Sequence, residues 1–484
     1  MPASSTISRI PATTRRISAF GPALLATALL APAAHAQESV DALDQRLKVL
    51  ERKLEIQQEE ADTKARDATS TSVGEKGFSL KKGDFEFKLR GLLQADARFY
   101  LDDSAPRQND SFLLRRVEPS FEVSLGQLAF FRLQPQFAGD SATTADIYGE
   151  LRFAPQASLR VGKFKAPVVL ENLQSSGSIE FIERGLPTEL GPNRDLGIQL
   201  GGEFAGATVG YAIGWFNGSP DGRDASTTDV DNRKETAARV FFEPFRNQPG
   251  LFQGLGFGIG GSYGSKLQGP ANAANANSFL PRYRTTSQSQ FFAYRGAATA
   301  SATAAGSTGV YADGTHTRFS PQLYYYRNSL GLLGEYISSE QELSIVNTAA
   351  GPGATTPFTA SLENTAWQVL TTWVITHEDA SYRGVKPARP FAIGAPGWGA
   401  VELALRYGEL EIDEGAFPLF ANPTSAARQA KSYSAGINWY LTGNVKAVVN
   451  YTDTRFDGGG GGSVAAPLDR EDEKTIFARL QLAY

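Results

Sequence analysis

The sequence predicts an all-β protein, a 16-stranded antiparallel transmembrane β-barrel that follows a short N-terminal helical segment. Three observations support this fold class. From Gly77 to Tyr484, apolar and polar residues alternate in segments of strand length. Short turns and long loops alternate between these segments, as in outer-membrane barrels. Beyond residue 36, no stretch of the sequence reaches the ~20 continuous apolar residues that a membrane helix needs.

Residues 1–36 have the features of a secretory signal peptide. A region with three arginines is followed by a largely apolar stretch, 17–34, and the segment ends in an A-x-A pattern. We therefore expect cleavage between Ala36 and Gln37. A membrane anchor helix is the alternative, but the apolar stretch is short and contains two prolines.

Residues 37–76 are polar and helical in pattern, and we expect them in the periplasm. Apolar residues recur there at alternating spacings of three and four: Val40, Leu43, Leu47, Leu50 and Leu54. The pattern predicts either a short oligomerising coiled coil or a single amphipathic helix that packs on another surface. Residues 61–76 contain Gly, Ser and Thr and predict a linker. The barrel is therefore expected to span residues 77–484.

The segment from Phe85 to Phe99 shows the strand pattern most clearly. One face is wholly nonpolar: Phe85, Phe87, Leu89, Gly91, Leu93, Ala95, Ala97 and Phe99. The other face is polar except at Leu92. A soluble sheet can alternate in the same way, but its strands are usually about 5–6 residues long. The greater length here favours a tilted strand that crosses a membrane.

The same reading along the chain predicts sixteen strands. They lie at about 85–100, 111–125, 128–139, 145–154, 157–164, 195–205, 207–216, 235–243, 255–264, 316–326, 331–341, 361–377, 398–410, 429–441, 444–455 and 473–484. We expect tight turns on one rim and long loops on the other. The long segments are 165–194, 217–234, 265–315, 342–360, 378–397, 411–428 and 456–472. An even number of strands places both chain ends at the same rim.

Several motifs resemble the phosphate-selective porin O and P family and occur in the family's order between about residues 77 and 484. They lie at 112–116, 162–167, 181–184, 191–197, 215–218, 382–387 and 436–440. The resemblance implies a homotrimer of 16-stranded barrels in the Gram-negative outer membrane. It also implies an inward-folding loop that narrows each pore, and passive diffusion of small anions, with phosphate or polyphosphate as candidates.

The candidate residues of the anion pathway come from these motifs. They are Arg98, Arg115, Arg116, Lys163, Lys165 and Arg184. By resemblance, the paired arginines lie near the constriction, Arg98 is a basic position of the first strand, and the two lysines flank the start of the narrowing loop. Phosphate-binding members carry further lysines where this chain has Phe130 and Ser175-Ser176-Gly177-Ser178. Phosphate selectivity therefore stays open.

Arginine suits an anion filter because it stays charged and presents a planar fork to oxyanions. Arg115 and Arg116 would face opposite sides of a regular strand, so both reach the lumen only through a bulge or at a strand edge. Arg116 shares a face with Glu118 and is the better lumen candidate. Each candidate could instead be a solvated charge or the partner of a carboxylate.

Composition excludes several classes of site. The chain has no Cys and only three His, and it contains neither HExxH nor GxSxG, so we predict no catalytic residues, no metal and no cofactor. No basic patch or motif indicates nucleic-acid binding. Residues 76–484 carry a net charge of only about −3, so anion preference depends on local placement. A non-selective diffusion porin, or a barrel that mainly tethers through its N-terminal segment, remains an alternative.

Overall fold

The computed structural model describes residues 40–67, 69–74, 77–101, 108–139, 142–229, 231–267, 279–295, 308–347 and 358–484. The chain divides into an N-terminal unit that ends at Ala65 and a second unit that runs from Arg66 to Tyr484. The predicted signal peptide, with Ala36 and Gln37, lies outside the described residues.

The N-terminal unit contains helix α1, Val40–Asp67. Among the described side chains of its apolar seam, Leu47, Leu50 and Leu54 are 57%, 59% and 63% exposed. The prediction of a linker from residue 61 is wrong as far as Asp67, because the helix continues to that residue. Among the described residues, no helix combines the length and the apolar character needed to cross a membrane.

The described part of the second unit contains twenty-one strands. They are β1 Ser70–Gly74, β2 Gly77–Lys82, β3 Phe85–Tyr100, β4 Ser111–Leu125, β5 Ala129–Gln136, β6 Thr143–Ala154, β7 Ala157–Lys165, β8 Arg194–Phe204, β9 Val209–Phe216, β10 Glu235–Phe242, β11 Leu255–Leu267, β12 Arg282–Arg284, β13 Gln290–Ala293, β14 Thr308–Arg327, β15 Leu330–Asn347, β16 Phe358–Val374, β17 Ala400–Glu411, β18 Ala427–Tyr440, β19 Val445–Ser463, β20 Ala466–Asp469 and β21 Glu473–Ala483.

Sixteen of these strands form a closed antiparallel barrel: β3 to β11, β14 to β19, and β21. Each strand pairs with the next in this order, and β21 closes the ring on β3 with Thr475 opposite Tyr100 and Ala483 opposite Leu92. The predicted fold class is therefore confirmed, and all sixteen predicted strands are present. Closure leaves no unpaired edge in the ring.

Alternation sorts the side chains between lumen and lipid. In β18, Ser434 and Asn438 are buried in the lumen, whereas Tyr433 and Ile437 point outward and are exposed. Strands β14 to β19 also keep exposed apolar side chains outside, whereas their inner faces mix polar residues with buried apolar ones such as Leu333, Ile337 and Leu370. A polar lumen within an apolar outer surface is the pattern of a membrane barrel.

The remaining five strands were not predicted. Strands β1 and β2 form a hairpin, and β2 pairs with the start of β3, with Phe78 opposite Leu89. Strand β2 pairs with the part of β3 that lies beyond the end of β21, next to the main-chain hydrogen bonds between Gly91 and Tyr484. A Cβ atom at Gly91 would lie 2.4 Å from the Tyr484 ring, so a larger residue here would require that ring to move. Strands β12 and β13 form a second hairpin, and β20 pairs with the end of β19.

One predicted connection lies at the other rim. Residues 378–397 were expected among the long loops, but they join β16 to β17 at the short-turn rim. There the Ala380 N–H donates to the Asn328 carbonyl at 2.6 Å, and the Phe391 N–H donates to the Leu441 carbonyl at 2.6 Å. The direction of β16 decides the rim, because this strand runs toward the short-turn rim and its connection to β17 must begin there, whatever its length.

Candidate functional site

The connection between β7 and β8, residues 166–193, folds into the lumen, and we call it the constriction loop. It contains the short helix α2, Leu170–Leu173, and a 3₁₀ turn at Leu186–Glu189. Val168 and Leu190 are among its fully buried apolar side chains. These side chains pack against the barrel interior, which stabilises the loop in its inward position.

Side chains from the opposite wall bind the main chain of the constriction loop. The ammonium of Lys446 donates to the Ile179 carbonyl at 2.8 Å, and Arg479 Nη1 donates to the Ile182 carbonyl at 2.8 Å. The Ile182 N–H donates to Asn450 Oδ1 at 3.0 Å. Since these partners stand on β19 and β21, the loop crosses the lumen from the wall that carries β7 and β8.

A second set of contacts fixes the first half of the loop. The Leu170 N–H donates to Glu335 Oε2 at 2.9 Å. Gln368 Nε2 and the Gly185 N–H both donate to Glu171 Oε2, each at 2.8 Å. All these groups are buried, so their hydrogen bonds replace water that the lumen would otherwise supply.

Three arginines converge on two carboxylates beneath the loop, and we call this group the Glu183 cluster. Glu183 accepts from Arg115 Nε at 2.6 Å and also pairs with Arg98. Asp96 accepts from Arg98 at 2.8 Å and from Arg479 at 2.6 Å. Burial alone would raise the pKa of Glu183, but Arg115 and Arg98 outweigh it and hold that pKa well below its usual range.

A β-bulge brings both paired arginines into the lumen. Gln94 of β3 lies opposite Arg116, but the next residue, Ala95, lies opposite Leu114, so Arg115 has no partner across the ladder. Arg115 reaches Glu183, and Arg116 Nη1 donates to Gln94 Oε1 at 2.7 Å. This bulge is one of the two arrangements that the sequence analysis named as allowing both side chains to point inward.

Lys165, the last residue of β7, and Arg184, in the second half of the loop, meet on one carbonyl oxygen. The Gln174 carbonyl accepts from Lys165 Nζ at 2.9 Å and from Arg184 Nη2 at 2.9 Å. Lys165 also donates to the Asn172 carbonyl at 2.6 Å, and Arg184 donates to the Glu171 carbonyl at 3.0 Å. Within the described part of the chain, neither cation forms an ion pair with a carboxylate. Carboxylates act on them only from a greater distance: Glu171 and Glu183 on Arg184, and Asp146 on Lys165.

The sixth candidate, Lys163, lies apart from the others. Its ammonium is 3.3 Å from Asp224, on the loop between β9 and β10. The structure thus separates the six candidates into four groups. Arg98 and Arg115 belong to the Glu183 cluster, and Lys165 and Arg184 share the Gln174 carbonyl. Arg116 binds Gln94, and Lys163 pairs with Asp224.

Two cavities meet at the constriction loop. A cavity of about 350 Å³ opens toward the long-loop rim, and one of about 950 Å³ opens toward the short-turn rim. Arg184 lines the first cavity and Lys165 lines the second. Since both bind the Gln174 carbonyl, this pair lies where the two cavities approach each other.

Further arginines line both cavities and were not among the sequence candidates. On the long-loop side they are Arg194, Arg223 and Arg284, and on the short-turn side they are Arg152, Arg160 and Arg239. Arg160 lies 4.5 Å from the Tyr148 ring centroid, and Arg239 lies 4.3 Å from that of Phe241. Strand alternation would have placed Arg160 and Arg239 in the lumen, but only the folded loops bring Arg223 and Arg284 to the pathway.

Glu180, in the second half of the loop, has a different environment. It accepts a hydrogen bond from the Tyr326 hydroxyl at 3.1 Å. Burial, with repulsion from Glu402, raises the pKa of Glu180 to about 8 although Lys446 opposes the shift. The loop thus holds one carboxylate that stays ionised and one that titrates near neutral pH.

A buried contact between Ser339, His316 and Asp221 has the residue types of a catalytic triad. His316 Nε2 lies 3.0 Å from Ser339 Oγ, but that hydroxyl donates to Asp221 at 2.8 Å. All three side chains are buried in the barrel wall, so no substrate reaches the hydroxyl. Among the described residues, no group of three or more His, Cys, Asp or Glu could hold a metal ion.

Comparison with known families identifies the barrel. A family model described as phosphate-selective porin O and P matches residues 87–484. The chain belongs to this family. It is therefore a porin of the Gram-negative outer membrane, as the motif resemblance predicted. No curated protein matches the chain significantly.

Three solved outer-membrane proteins are similar to this chain at low sequence identity. The anion-selective porin from Comamonas acidovorans is 11% identical, covers 83% of this chain and 100% of its own, and has a TM-score of 0.48. OmpT of Vibrio cholerae lacking loop L8 is 10% identical, with coverages of 83% and 100% and a TM-score of 0.49. The outer-membrane channel DcaP of Acinetobacter baumannii is 12% identical, with coverages of 84% and 99% and a TM-score of 0.47.

Proposed function

We propose that this porin passes small anions by passive diffusion and that Lys165 and Arg184 form its cationic filter. The observation that carries the proposal is their shared contact with the Gln174 carbonyl, without a carboxylate partner among the described residues. A carbonyl orients a cation but leaves its net charge intact. A passing anion therefore meets two basic side chains at the constriction.

The cavities on either side are lined by further arginines, but most of these are paired with carboxylates. Arg152 and Arg160 pair with Glu150, Arg194 pairs with Asp146, and Arg223 pairs with Glu189. Arg239 instead stacks on Phe241 and donates to Gln322 Oε1 at 2.8 Å, contacts that orient its charge without neutralising it. Phosphate is the candidate solute, because the guanidinium fork matches its oxygens.

Anion selectivity is tested by reversal potential in a planar bilayer under a KCl gradient, followed by titration with phosphate. We expect an anion-selective current that phosphate partly blocks. The double variant Lys165→Gln/Arg184→Gln should move the reversal potential toward zero and weaken the block about tenfold, which corresponds to about 1.4 kcal/mol. Lys163→Gln is the matched control, because Lys163 lies two residues from Lys165 but pairs with Asp224.

A non-selective diffusion porin is the second candidate function, and the net charge of −4 favours it. Conductance without anion preference would support it and overturn the filter proposal. Absence of any conductance from folded barrels would contradict both.

We also infer a homotrimer whose N-terminal segment, residues 37–76, lies in the periplasm. Family membership and the exposed leucines of the apolar seam of α1 support this inference. Cross-linking of the full chain, and of a variant that lacks residues 40–67, measures the oligomeric state. A monomeric full-length porin would contradict the inference.

A further inference from the structure

The long connection at the short-turn rim, residues 375–399, has one half inside the barrel and one half outside, and we call it the strap. Its inner half packs on Tyr440, because Ala380 and Val385 form a buried apolar cluster with that ring. Its outer half packs on Trp439, the residue before Tyr440 in β18, since the Phe391 ring lies 5.7 Å from the Trp439 ring at an interplanar angle of 79°. Successive residues of a strand face opposite sides, so the strap holds the end of β18 from both faces.

The inner half of the strap supports the constriction loop. The Tyr382 hydroxyl donates to the Leu170 carbonyl at 2.6 Å. Gln174 Nε2 donates to the Tyr382 carbonyl at 2.9 Å. Ser178 Oγ donates to the Arg383 carbonyl at 2.9 Å. The loop that carries Gln174 and Arg184 therefore rests directly on the strap.

The outer half of the strap leaves large apolar side chains uncovered. Ile393 is 96% exposed and Trp398 is 72% exposed. The Trp398 carbonyl accepts a hydrogen bond from Trp439 Nε1 at 2.7 Å, which fixes the strap beside the lipid-facing surface of β18. Exposed apolar groups of this size mark a contact surface when they continue an interface. Here the adjoining interface is the apolar outer surface of the barrel.

The chemistry of this surface fits a lipid leaflet. Tryptophan and phenylalanine are favoured where acyl chains meet headgroups, and they form girdles on membrane barrels. Lys386 and Arg389 precede the apolar residues and are exposed. Basic side chains beside an apolar patch add attraction for anionic headgroups.

We propose that residues 391–398 insert into the lipid leaflet at the short-turn rim and bind an anionic phospholipid surface. This contact anchors the strap from outside, and the strap in turn holds the constriction loop from inside. Lipid contact thus stabilises the geometry of the pore. The inference is independent of which solute the porin passes.

The chain has no Cys, so a single introduced cysteine gives one labelling site. Ile393→Cys and the control Val464→Cys are labelled with a polarity-sensitive fluorophore in vesicles of phosphatidylcholine and phosphatidylglycerol. Val464 is 53% exposed and lies in the turn between β19 and β20, at the long-loop rim. We expect lipid-borne nitroxide to quench the label at 393 several-fold more than the label at 464, and aqueous iodide to show the reverse order.

Equal iodide quenching at both positions would overturn the lipid contact. Protection from iodide and nitroxide together, with cross-linking between copies through position 393, would also overturn it and assign the surface to a second copy of the chain.

The proposed coupling between the strap and the constriction loop is tested by the frequency of closures in single-channel recordings. Ile393→Asp should raise the frequency of closures at least twofold, whereas Val464→Asp should leave it unchanged. An unchanged frequency in both variants would overturn the coupling between strap and loop. Anion-selective current that persists while the label test fails overturns the anchor alone, and leaves the proposed function standing.

Discussion

The lumen holds two groups of cations that differ in what they bind. In the Glu183 cluster, the guanidiniums of Arg98 and Arg115 face carboxylates at hydrogen-bond distance. In the pair on Gln174, Lys165 and Arg184 face main-chain carbonyls. The first arrangement offsets two of its three positive charges with carboxylates and ties the loop to the wall, whereas the second orients its cations without a carboxylate in contact. The electrostatic potential in the pore therefore depends on whether each cation contacts a carboxylate or a carbonyl, and not only on the number of arginines in the lumen.

The largest expected effect comes from breaking the neutralised group. Glu183→Gln leaves three buried guanidiniums around one remaining carboxylate, so the folded barrel should lose about 3 kcal/mol of stability. The urea midpoint of unfolding, measured at constant slope, reports the loss.

The matched control is Glu86→Gln. Glu86 pairs with Lys88 at 3.0 Å, and both side chains are substantially more exposed than those of the cluster. A surface pair contributes about 0–1 kcal/mol. Equal midpoints for Glu86→Gln and Glu183→Gln would show that the cluster does not stabilise the loop.

The next effect separates the two groups by function. Arg184→Gln alone should weaken phosphate block about threefold, or about 0.7 kcal/mol, because it removes one of the two cations of the filter. Arg98→Gln should change the block less than twofold in barrels that fold. Titration of the single-channel current with phosphate measures both, and a larger effect for Arg98→Gln would reverse the assignment.

A smaller effect concerns pH. The pKa of Glu180 is raised by burial from 4.5 to about 8, so between these values the folded state keeps a proton that the unfolded chain releases. Glu180 should therefore make stability fall as pH rises from 6 to 8, and its own contribution is at most about 1.4 kcal/mol per pH unit. Glu180→Gln should lower the slope of stability against pH in urea titrations by up to this amount, while Glu471→Gln, on an exposed loop, should leave the slope unchanged. An unchanged slope in Glu180→Gln would contradict the role of Glu180.

The smallest effect is expected from the N-terminal helix. Removal of residues 40–67 should leave reversal potential and phosphate block unchanged, since α1 supplies no residue to either cavity among those described. The same bilayer recording measures it. A shifted reversal potential would show that the helix influences the pore.

The sequence predicted the ring of strands well because each strand has one lipid face and one aqueous face. It missed the hairpin of β12 and β13 for the opposite reason, since Tyr283, Phe291 and Phe292 are buried and leave no alternation to detect. The rim of the strap was assigned from loop length, although strand direction decides it.

For the site, residue type gave Lys165 and Arg184 as candidates by resemblance, but their shared acceptor could not be predicted. Whether the Gln174 carbonyl faces both cations depends on the path of the constriction loop across the lumen, which distant side chains such as Lys446 and Arg479 determine. Such long-range contacts have no local signal in the sequence.

The bulge at Arg115 has a consequence for how the chain can change in length. In a regular strand, residues 114 and 117 would face opposite sides because their numbers differ by three. Leu114 and Val117 nevertheless both face the lipid, because Arg115 is an extra residue that shifts the alternation between the two parts of β4. Deleting this one residue would restore a regular ladder and leave every outward side chain outward. A membrane strand normally tolerates no such deletion, since its apolar face would turn inward. Position 115 is thus a point inside the barrel wall where evolution can add or remove a residue, together with a lumen charge, without disturbing the membrane surface.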